Sequence, residues 1–294
     1  SARQEPLMPR ATIFELLKKD APLVGPGIYD CLSARLAEQA GFEMVFLSGY
    51  CLSATLLGEP DFGFLTQTQV LEAAGRVCSA VNIPVIVDID TGYGNAFNVE
   101  KTVETLLRIG AAGCFLEDQV WPKRCGHMQG KRVVPVDEYL PKLRAALAAK
   151  KGTSFHVTAR TDARAAVSLE DAIYRAKIYA DMGADAVFIE APESIQEMDR
   201  IRKEVPLPTT LVANMVEQGK TPIRTVLELY RAGYKIIAVP VAGLLAQSHA
   251  LKELFATLKR DGKTGAFHSR MFTFQEMNSL VRLDEKYERE KEWM

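Results

Sequence analysis

Residues 117–127 read EDQVWPKRCGH: two carboxylates (Glu117, Asp118), three basic groups (Lys123, Arg124, His127) and one thiol (Cys125) within eleven positions. Cations beside a cysteine favour its thiolate, so Cys125 reads as a nucleophile or a proton donor, with Lys123 and His127 as its catalytic neighbours. Cys125 and His127 stand too close for ordinary zinc chelation, and no second Cys/His pair accompanies them. Upstream, DIDTGYGN carries Asp88 and Asp90. With Glu117 they make three hard oxygen donors, a set that suits Mg²⁺ or Mn²⁺, partly through water, rather than zinc. Strand alternation would turn Asp88 and Asp90 to opposite faces, but a chain already turning at a strand end lets them meet. The alternative is Asp90 as a plain turn residue in a glycine-rich loop. Arg160 ends an apolar run, where an unpaired guanidinium is costly, so it needs a carboxylate from the protein or from a substrate. These groups together suit a small, highly anionic substrate, a dicarboxylate or a phosphonate.

The scaffold is written as one phrase repeated four times: helix tail, glycine, short apolar run. The copies are EQAGFEMVFLS (38–48), LRIGAAGCFLE (107–117), ADMGADAVFIE (180–190) and YRAGYKIIAVP (230–240). Glycine just past a helix supplies a left-handed C-cap, and the apolar run that follows has the length of a buried strand. Val24–Tyr29, Pro84–Asp88, Phe155–Arg160 and Thr209–Ala213 add four more strands. Between them lie helical patterns, one placing Val99, Val103, Leu106 and Leu107 on one face, another opening on Ser168 as N-cap. Eight continuous apolar strands alternating with helices predict an α/β (β/α)8 TIM barrel, and no G-x-G-x-x-G follows the first strand to support an open dinucleotide fold. The whole chain, 1–294, reads as one domain: a barrel over about 20–260 and a helical extension over about 270–294, where FTFQEMNSLVRLDEKYEREKEWM forms one amphipathic helix with Met277, Leu280, Val281 and Leu283 to cover. In such barrels the site lies at the C-terminal strand ends. Those ends read Ser48-Gly49-Tyr50, Asp88-Ile89-Asp90, Glu117-Asp118, Arg160-Thr161-Asp162, Glu190 and Asn214 to Glu217, with Asp118 and Asp162 also open to purely structural roles. The long 50–66 segment is a candidate lid or pocket wall.

The 294 residues are 48% hydrophobic and 25% charged, with net charge −1. That balance excludes an electrostatic footprint for nucleic acid or an anionic membrane surface. The longest apolar run, Ile236 to Ala246, is too short to span a bilayer, and the first twenty residues show no secretory h-region. Five cysteines without a CxxC pair point to a reducing, cytoplasmic setting, four of them as small core residues and Cys125 as the exception.

EDQVWPKRCGH, DIDTGYGN, ARTDA (159–163) and NMVEQGKTP (214–222) together resemble the isocitrate lyase / phosphoenolpyruvate mutase superfamily, over about residues 12–290. The K-[KR]-C-G-H signature is specific to its lyase branch, where this loop is a mobile gate carrying a catalytic cysteine. The resemblance implies Mg²⁺-dependent retro-aldol cleavage of a 2-hydroxy acid into a 2-oxo acid and a second carboxylate. By position, Asp88, Asp90 and Glu117 would hold the metal directly or through water. Ser48, Gly49, Tyr50, Asp88 and Arg160 would hold one end of the substrate. Gly126, His127, Glu190 and Asn214 would bind the leaving carboxylate, and Cys125 would protonate it. Tyr50, Asp61 and a metal-bound water are open as the base. Methylisocitrate lyases carry two further arginines, which align at Leu245 and Phe274, both apolar here. If each charged contact contributes ~1.5–3 kcal/mol, their loss disfavours a tricarboxylate. The 2,3-dimethylmalate and other 2-alkylmalate lyases, with the petal death group, fit better. A methylisocitrate lyase, an oxaloacetate hydrolase and a carboxyphosphonoenolpyruvate mutase are the alternatives within the superfamily. A Schiff-base aldolase on Lys123 and a silent binding protein are the rivals outside it. The resemblance also implies a homotetramer that exchanges a C-terminal helix.

Overall fold

In the computed structural model, residues 10–125 and 130–294 are described. Eight strands close into a parallel barrel in chain order: β1 Leu23–Ile28, β2 Val45–Leu47, β3 Val85–Asp88, β4 Gly113–Glu117, β5 His156–Thr161, β6 Ala186–Ile189, β7 Thr210–Asn214 and β8 Ile236–Val239. β8 returns to β1 with Leu23 opposite Ile236, and β4 meets β5 with Glu117 opposite Arg160. The eight predicted strands are all present, each within one or two residues of its expected bounds.

Every strand is buried along most of its length because both its faces meet apolar side chains. Inside the barrel the Phe115 ring packs tilted against Phe46 and edge-on against Phe188, with centroids 5.7 and 5.8 Å apart, in one cluster with Ile86, Val212 and Ile236. Outside, Val99, Val103 and Leu106 of the helix Ala96–Arg108 join the larger core, while Leu107 is only half-buried. Side-chain caps start the crossover helices: Thr66 and Asn95 form capping boxes, and Ser168 accepts the Asp171 amide.

Two compact units divide the chain, residues 1–243 and 244–294. In the second unit Phe267 and Leu280 are buried and Arg270 pairs with Glu253 at 2.6 Å. The single C-terminal helix expected over 272–294 is two helices, Phe274–Leu280 and Leu283–Lys291. Arg282 between them adopts φ +61°, a left-handed conformation in which a helical ladder cannot continue. Among the described residues no helix is long and apolar enough to cross a membrane. The five cysteines are free; Cys51, Cys78 and Cys114 are buried, but Cys31, expected in the core, is half-buried because it opens a helix straight after the N-cap Asp30.

Candidate active site

Asp88 is the last residue of β3, and two positions on Asp90 takes φ +49°. That left-handed step undoes strand alternation: the Asp90 amide donates to Asp88 Oδ1 at 3.1 Å, so both carboxylates belong to one cluster. Glu117, the last residue of β4, joins by donating its amide to the Asp90 carbonyl at 2.9 Å. The chain at Gly49 runs against this cluster, since a Cβ there would lie 3.1 Å from Asp88 Oδ2 and 3.6 Å from Asp90 Oδ1. Ser48 caps the short helix Gly49–Leu52, and the Gly49 and Tyr50 amides fall in a first turn, where no intrahelical acceptor exists. Ser48, Gly49 and Tyr50 are therefore brought to Asp88 and Asp90 as the strand-end reading expected.

Lys123 is not a free cation beside the thiol. Its Nζ lies 2.7 Å from both Asp61 carboxylate oxygens and 2.6 Å from Asp90 Oδ1, and it is buried with them. Burial works against its charge, but Asp90 and Asp61 outweigh it and hold the ammonium well above its usual range. Burial pushes the Asp90 carboxyl up to about 7 against the pull of Lys123, and pushes Glu117 well above the carboxylate range against the pull of Arg160. Neither Glu117 oxygen accepts a hydrogen bond, and Arg160 Nη2 stands 3.4 Å from Oε2. A buried carboxylate left in this state is a donor set waiting for a cation. Among the described residues no three His, Cys, Asp or Glu side chains converge closely enough to hold an ion alone. The fit is to a hard divalent ion that keeps several waters and takes one or two carboxylates directly, such as Mg²⁺ or Mn²⁺.

Arg160 ends an apolar strand and finds the carboxylates it needs. Nε donates to Asp162 Oδ2 at 2.9 Å and Nη2 to Oδ1 at 3.2 Å, with Glu190 Oε2 at 3.3 Å and the Phe188 ring 5.3 Å away. Asn214 Nδ2 donates to Glu190 at 3.2 Å, while its Oδ1 is buried without a partner. Asp118 faces away from this group and has a structural role. It accepts the Asp162 amide at 3.0 Å, Arg175 Nη1 at 3.1 Å and the Tyr179 hydroxyl at 2.8 Å.

Cys125 is half-buried, its amide donating to the Asp61 carbonyl at 3.2 Å. It is close enough to Tyr50 that its charge, after burial, helps push the Tyr50 hydroxyl above its usual range. Gly126 and His127 lie outside the described residues. Tyr50 and Asp61 also line a cleft of about 270 Å³ with Ala54, Gly58, Glu59 and Pro60, so the long loop after β2 does form a pocket wall. Sequence reasoning missed Lys131, whose Nζ lies 2.7 Å from Asp162 Oδ1 in full burial, and Tyr93, whose buried hydroxyl has no partner. Nothing in the local pattern marks Lys131; Tyr93 stood in view inside DTGYGN.

A parallel (β/α)8 barrel with an acidic, oxygen-donor cluster at the ends of β3 and β4 and a cysteine-bearing segment docked over it defines a narrow class of proteins. The phosphoenolpyruvate phosphomutase family profile matches residues 13–259, and the chain belongs to that family, within the PEP mutase/isocitrate lyase superfamily. It is 47% identical to the chloroplastic carboxyvinyl-carboxyphosphonate phosphorylmutase of Arabidopsis thaliana, over 94% of this chain and 82% of that one. It is 44% identical to the petal death protein of Dianthus caryophyllus (97% and 89%) and 40% identical to the 2,3-dimethylmalate lyase of Eubacterium barkeri (93% and 94%). Among solved structures, oxaloacetate acetylhydrolase with the inhibitor 3,3-difluorooxalacetate superposes with a TM-score of 0.92 at 34% identity, covering 98% of both chains. A phosphonopyruvate hydrolase complex with oxalate and Mg²⁺ gives 0.82 at 30% identity, covering 93% and 94%.

Proposed function

We propose that this chain is a Mg²⁺-dependent carbon–carbon lyase that cleaves a 2-hydroxy dicarboxylate of the 2-alkylmalate type into a 2-oxo acid such as pyruvate and a second carboxylate. The observation that carries the reading is the docking of the Cys125 segment, through Asp61, against the Asp88–Asp90–Glu117 cluster. Asp88, with Asp90 and Glu117 directly or through water, would hold the ion. A divalent cation there supplies Lewis-acid stabilisation of the developing oxo acid. The Ser48–Gly49–Tyr50 turn and Arg160 bind the carboxylate and hydroxyl end of the substrate. Tyr50, kept protonated by burial, donates a hydrogen bond, which leaves Asp61 and water as acceptors for the hydroxyl proton. The bond between the two substrate carbons breaks, and its electron pair develops as a carbanion beside the leaving carboxylate. The family resemblance assigns Asn214, Gly126 and His127 to that end, where oriented donors offset developing charge, and Glu190 accepts the Asn214 side-chain amide at 3.2 Å. The Cys125 thiol protonates the carbanion. That role requires the thiol rather than the thiolate, and the engagement of Lys123 with Asp61 and Asp90 supports it by removing one cation from the thiol's influence.

Selectivity is argued from two positions of the sequence. Leu245 and Phe274 stand where methylisocitrate lyases align arginines, and both are exposed and apolar, at 45% and 83% exposure. The exposed apolar residues Phe272, Val281 and Trp293 support a homotetramer that exchanges its C-terminal segment; light scattering on the purified chain tests that assembly.

The deciding experiment follows 2-oxo acid release from methylisocitrate, 2,3-dimethylmalate, 2-ethylmalate and oxaloacetate, each with Mg²⁺ and with EDTA. Mg²⁺-dependent cleavage of the alkylmalates, with methylisocitrate poor, upholds the reading. Efficient methylisocitrate turnover keeps the mechanism and removes the selectivity argument. No cleavage of any member, with turnover of phosphonates, assigns the chain to the mutase reading favoured by its 47% identical relative.

A further inference from the structure

Asp162 is fully buried, and its two oxygens are unequal. Oδ2 accepts Arg160 Nε at 2.9 Å. Oδ1 accepts two donors, Lys131 Nζ at 2.7 Å and Arg160 Nη2 at 3.2 Å. A carboxylate and a guanidinium left to themselves form a side-on fork with two short, parallel bonds. Here one prong is long, and it is the prong whose acceptor Lys131 shares. The same Nη2 is drawn the other way, standing 3.3 Å from Glu190 and 3.4 Å from Glu117.

Lys131 is well placed to compete. Its side chain is 1% exposed and that of Asp162 is 0% exposed, so neither is free to swing into solvent. The adjoining backbone is pinned to the end of β4: the Val120 amide donates to the Arg132 carbonyl at 2.8 Å, and the Val134 amide to the Asp118 carbonyl at 2.9 Å. The Asp162 amide is itself held by Asp118 Oδ1 at 3.0 Å. The main chain beside Lys131 and at Asp162 is thus pinned, while the Arg160 guanidinium has acceptors on two sides, Asp162 on one and Glu117 and Glu190 on the other.

We infer that Lys131 is a positioning residue for Arg160: by occupying Asp162 Oδ1 it keeps Nη2 from closing the fork and holds the guanidinium turned toward Glu117, Glu190 and the substrate carboxylate. The inference rests on the reading of Arg160 as a carboxylate ligand. Without Lys131, Oδ1 takes Nη2 at full strength and the guanidinium rotates onto Asp162, away from the strand-end cluster.

The probe is oxalate, with Mg²⁺ present, its affinity read by calorimetry on the full chain. K131M weakens oxalate binding on the order of ten-fold, and K131R, which keeps a cation within reach, recovers most of that loss. The companion is a double-mutant cycle with D162N. If Lys131 acts through Asp162, K131M has little effect in the D162N background. If it acts only by its own field on the anion, the full effect persists there and the inference is overturned. An unchanged affinity in K131M overturns it directly. An R160K chain that binds oxalate as well as the parent removes the role of Arg160 itself and overturns it by that route. Should D162N fail to fold by circular dichroism, the crystal structure of K131M decides. An Nη2–Oδ1 distance below 3.2 Å with longer distances to Glu117 and Glu190 upholds the inference, and an unmoved guanidinium sinks it.

Discussion

The main-chain carbonyl of Asp61 accepts the amide hydrogen of Cys125 at 3.2 Å, while the Asp61 carboxylate holds Lys123 Nζ at 2.7 Å. One residue of the loop after β2 therefore fixes both the backbone and a side chain of the segment that carries the thiol. Phe62 extends the dock by lying 5.3 Å beneath the Arg124 guanidinium, and Gly63 completes it. A Cβ on Gly63 would stand 3.2 Å from both Pro122 Cβ and Trp121 Cη2, at a backbone φ of +74°.

Gly63→Ala carries two penalties, roughly 1–2 kcal/mol for a left-handed alanine and a push on residues 121–123. The expected outcome is a melting temperature lower by a few degrees and a fall in kcat, with Mg²⁺ affinity unchanged in a direct titration. Cys125→Ser separates chemistry from docking. It loses on the order of 10²–10⁴-fold in kcat, the usual contribution of a positioned general acid, without any shift in melting. Equal kcat in parent and C125S would remove the thiol from the reaction.

Glu117 is buried with two oxygens that accept no hydrogen bond, among neighbouring carboxylates that raise its pKa further. A group in that state disfavours the apo fold and favours a bound cation. EDTA is expected to abolish turnover and either Mg²⁺ or Mn²⁺ to restore it. Glu117→Gln keeps the shape and removes the charge. Its metal affinity falls about 10–100-fold, while the metal-free protein melts at or above the parent temperature. A variant that binds Mg²⁺ as tightly as the parent would place the ion elsewhere.

The barrel was legible because its strands repeat a local phrase: glycine at a helix end followed by a run too apolar for any exposed strand. The strand-end residues stood out for the same reason, as polar groups closing such runs, although Asp118 among them proves to be a structural support. What escaped was long-range or conformational. Nothing local shows that Lys123 meets Asp61, sixty-two residues away, or that Lys131 meets Asp162, thirty-one away. The left-handed steps at Asp90 and Arg282 escaped too, one uniting two carboxylates and the other splitting an expected helix. Neither residue is a glycine, so the backbone conformation leaves no mark in the sequence.

His156 opens β5 in full burial, its Nε2 without a partner and its ring 5.4 Å from Phe14. Burial lowers its pKa to about 4. The unfolded chain binds a proton near pH 6.5 that the folded chain refuses until about pH 4. Stability is therefore complete above about pH 6.5 and is lost as pH falls through that window, by ~3 kcal/mol in all. Urea unfolding at pH 7 and at pH 4.5 measures it. His156→Gln, which cannot titrate, should lose measurably less stability than the parent between the two conditions. Identical losses would assign the acid sensitivity to other groups.

Asp118 ties the site to its support. Its carboxylate accepts the Asp162 amide on one oxygen, and Arg175 and Tyr179 on the other. Arg175 keeps Asp171 at 2.6 Å and the Val134 carbonyl at 2.9 Å when Asp118 is neutralised, so the damage stays below that of an orphaned buried cation. Asp118→Asn is expected to cost about 1.5–3 kcal/mol, the contribution of one charged hydrogen bond, seen as a lower urea midpoint. Its amide oxygen can still accept the Asp162 amide, so Asp162 and Arg160 keep their places and oxalate affinity changes little. Asp118→Ala removes that acceptor as well. It should lower stability further and also weaken oxalate, because Asp162 is then free to shift and to carry Arg160 with it. Parallel loss of oxalate affinity in both variants would mean that the negative charge of Asp118, and not its bond to the Asp162 amide, is what Arg160 feels.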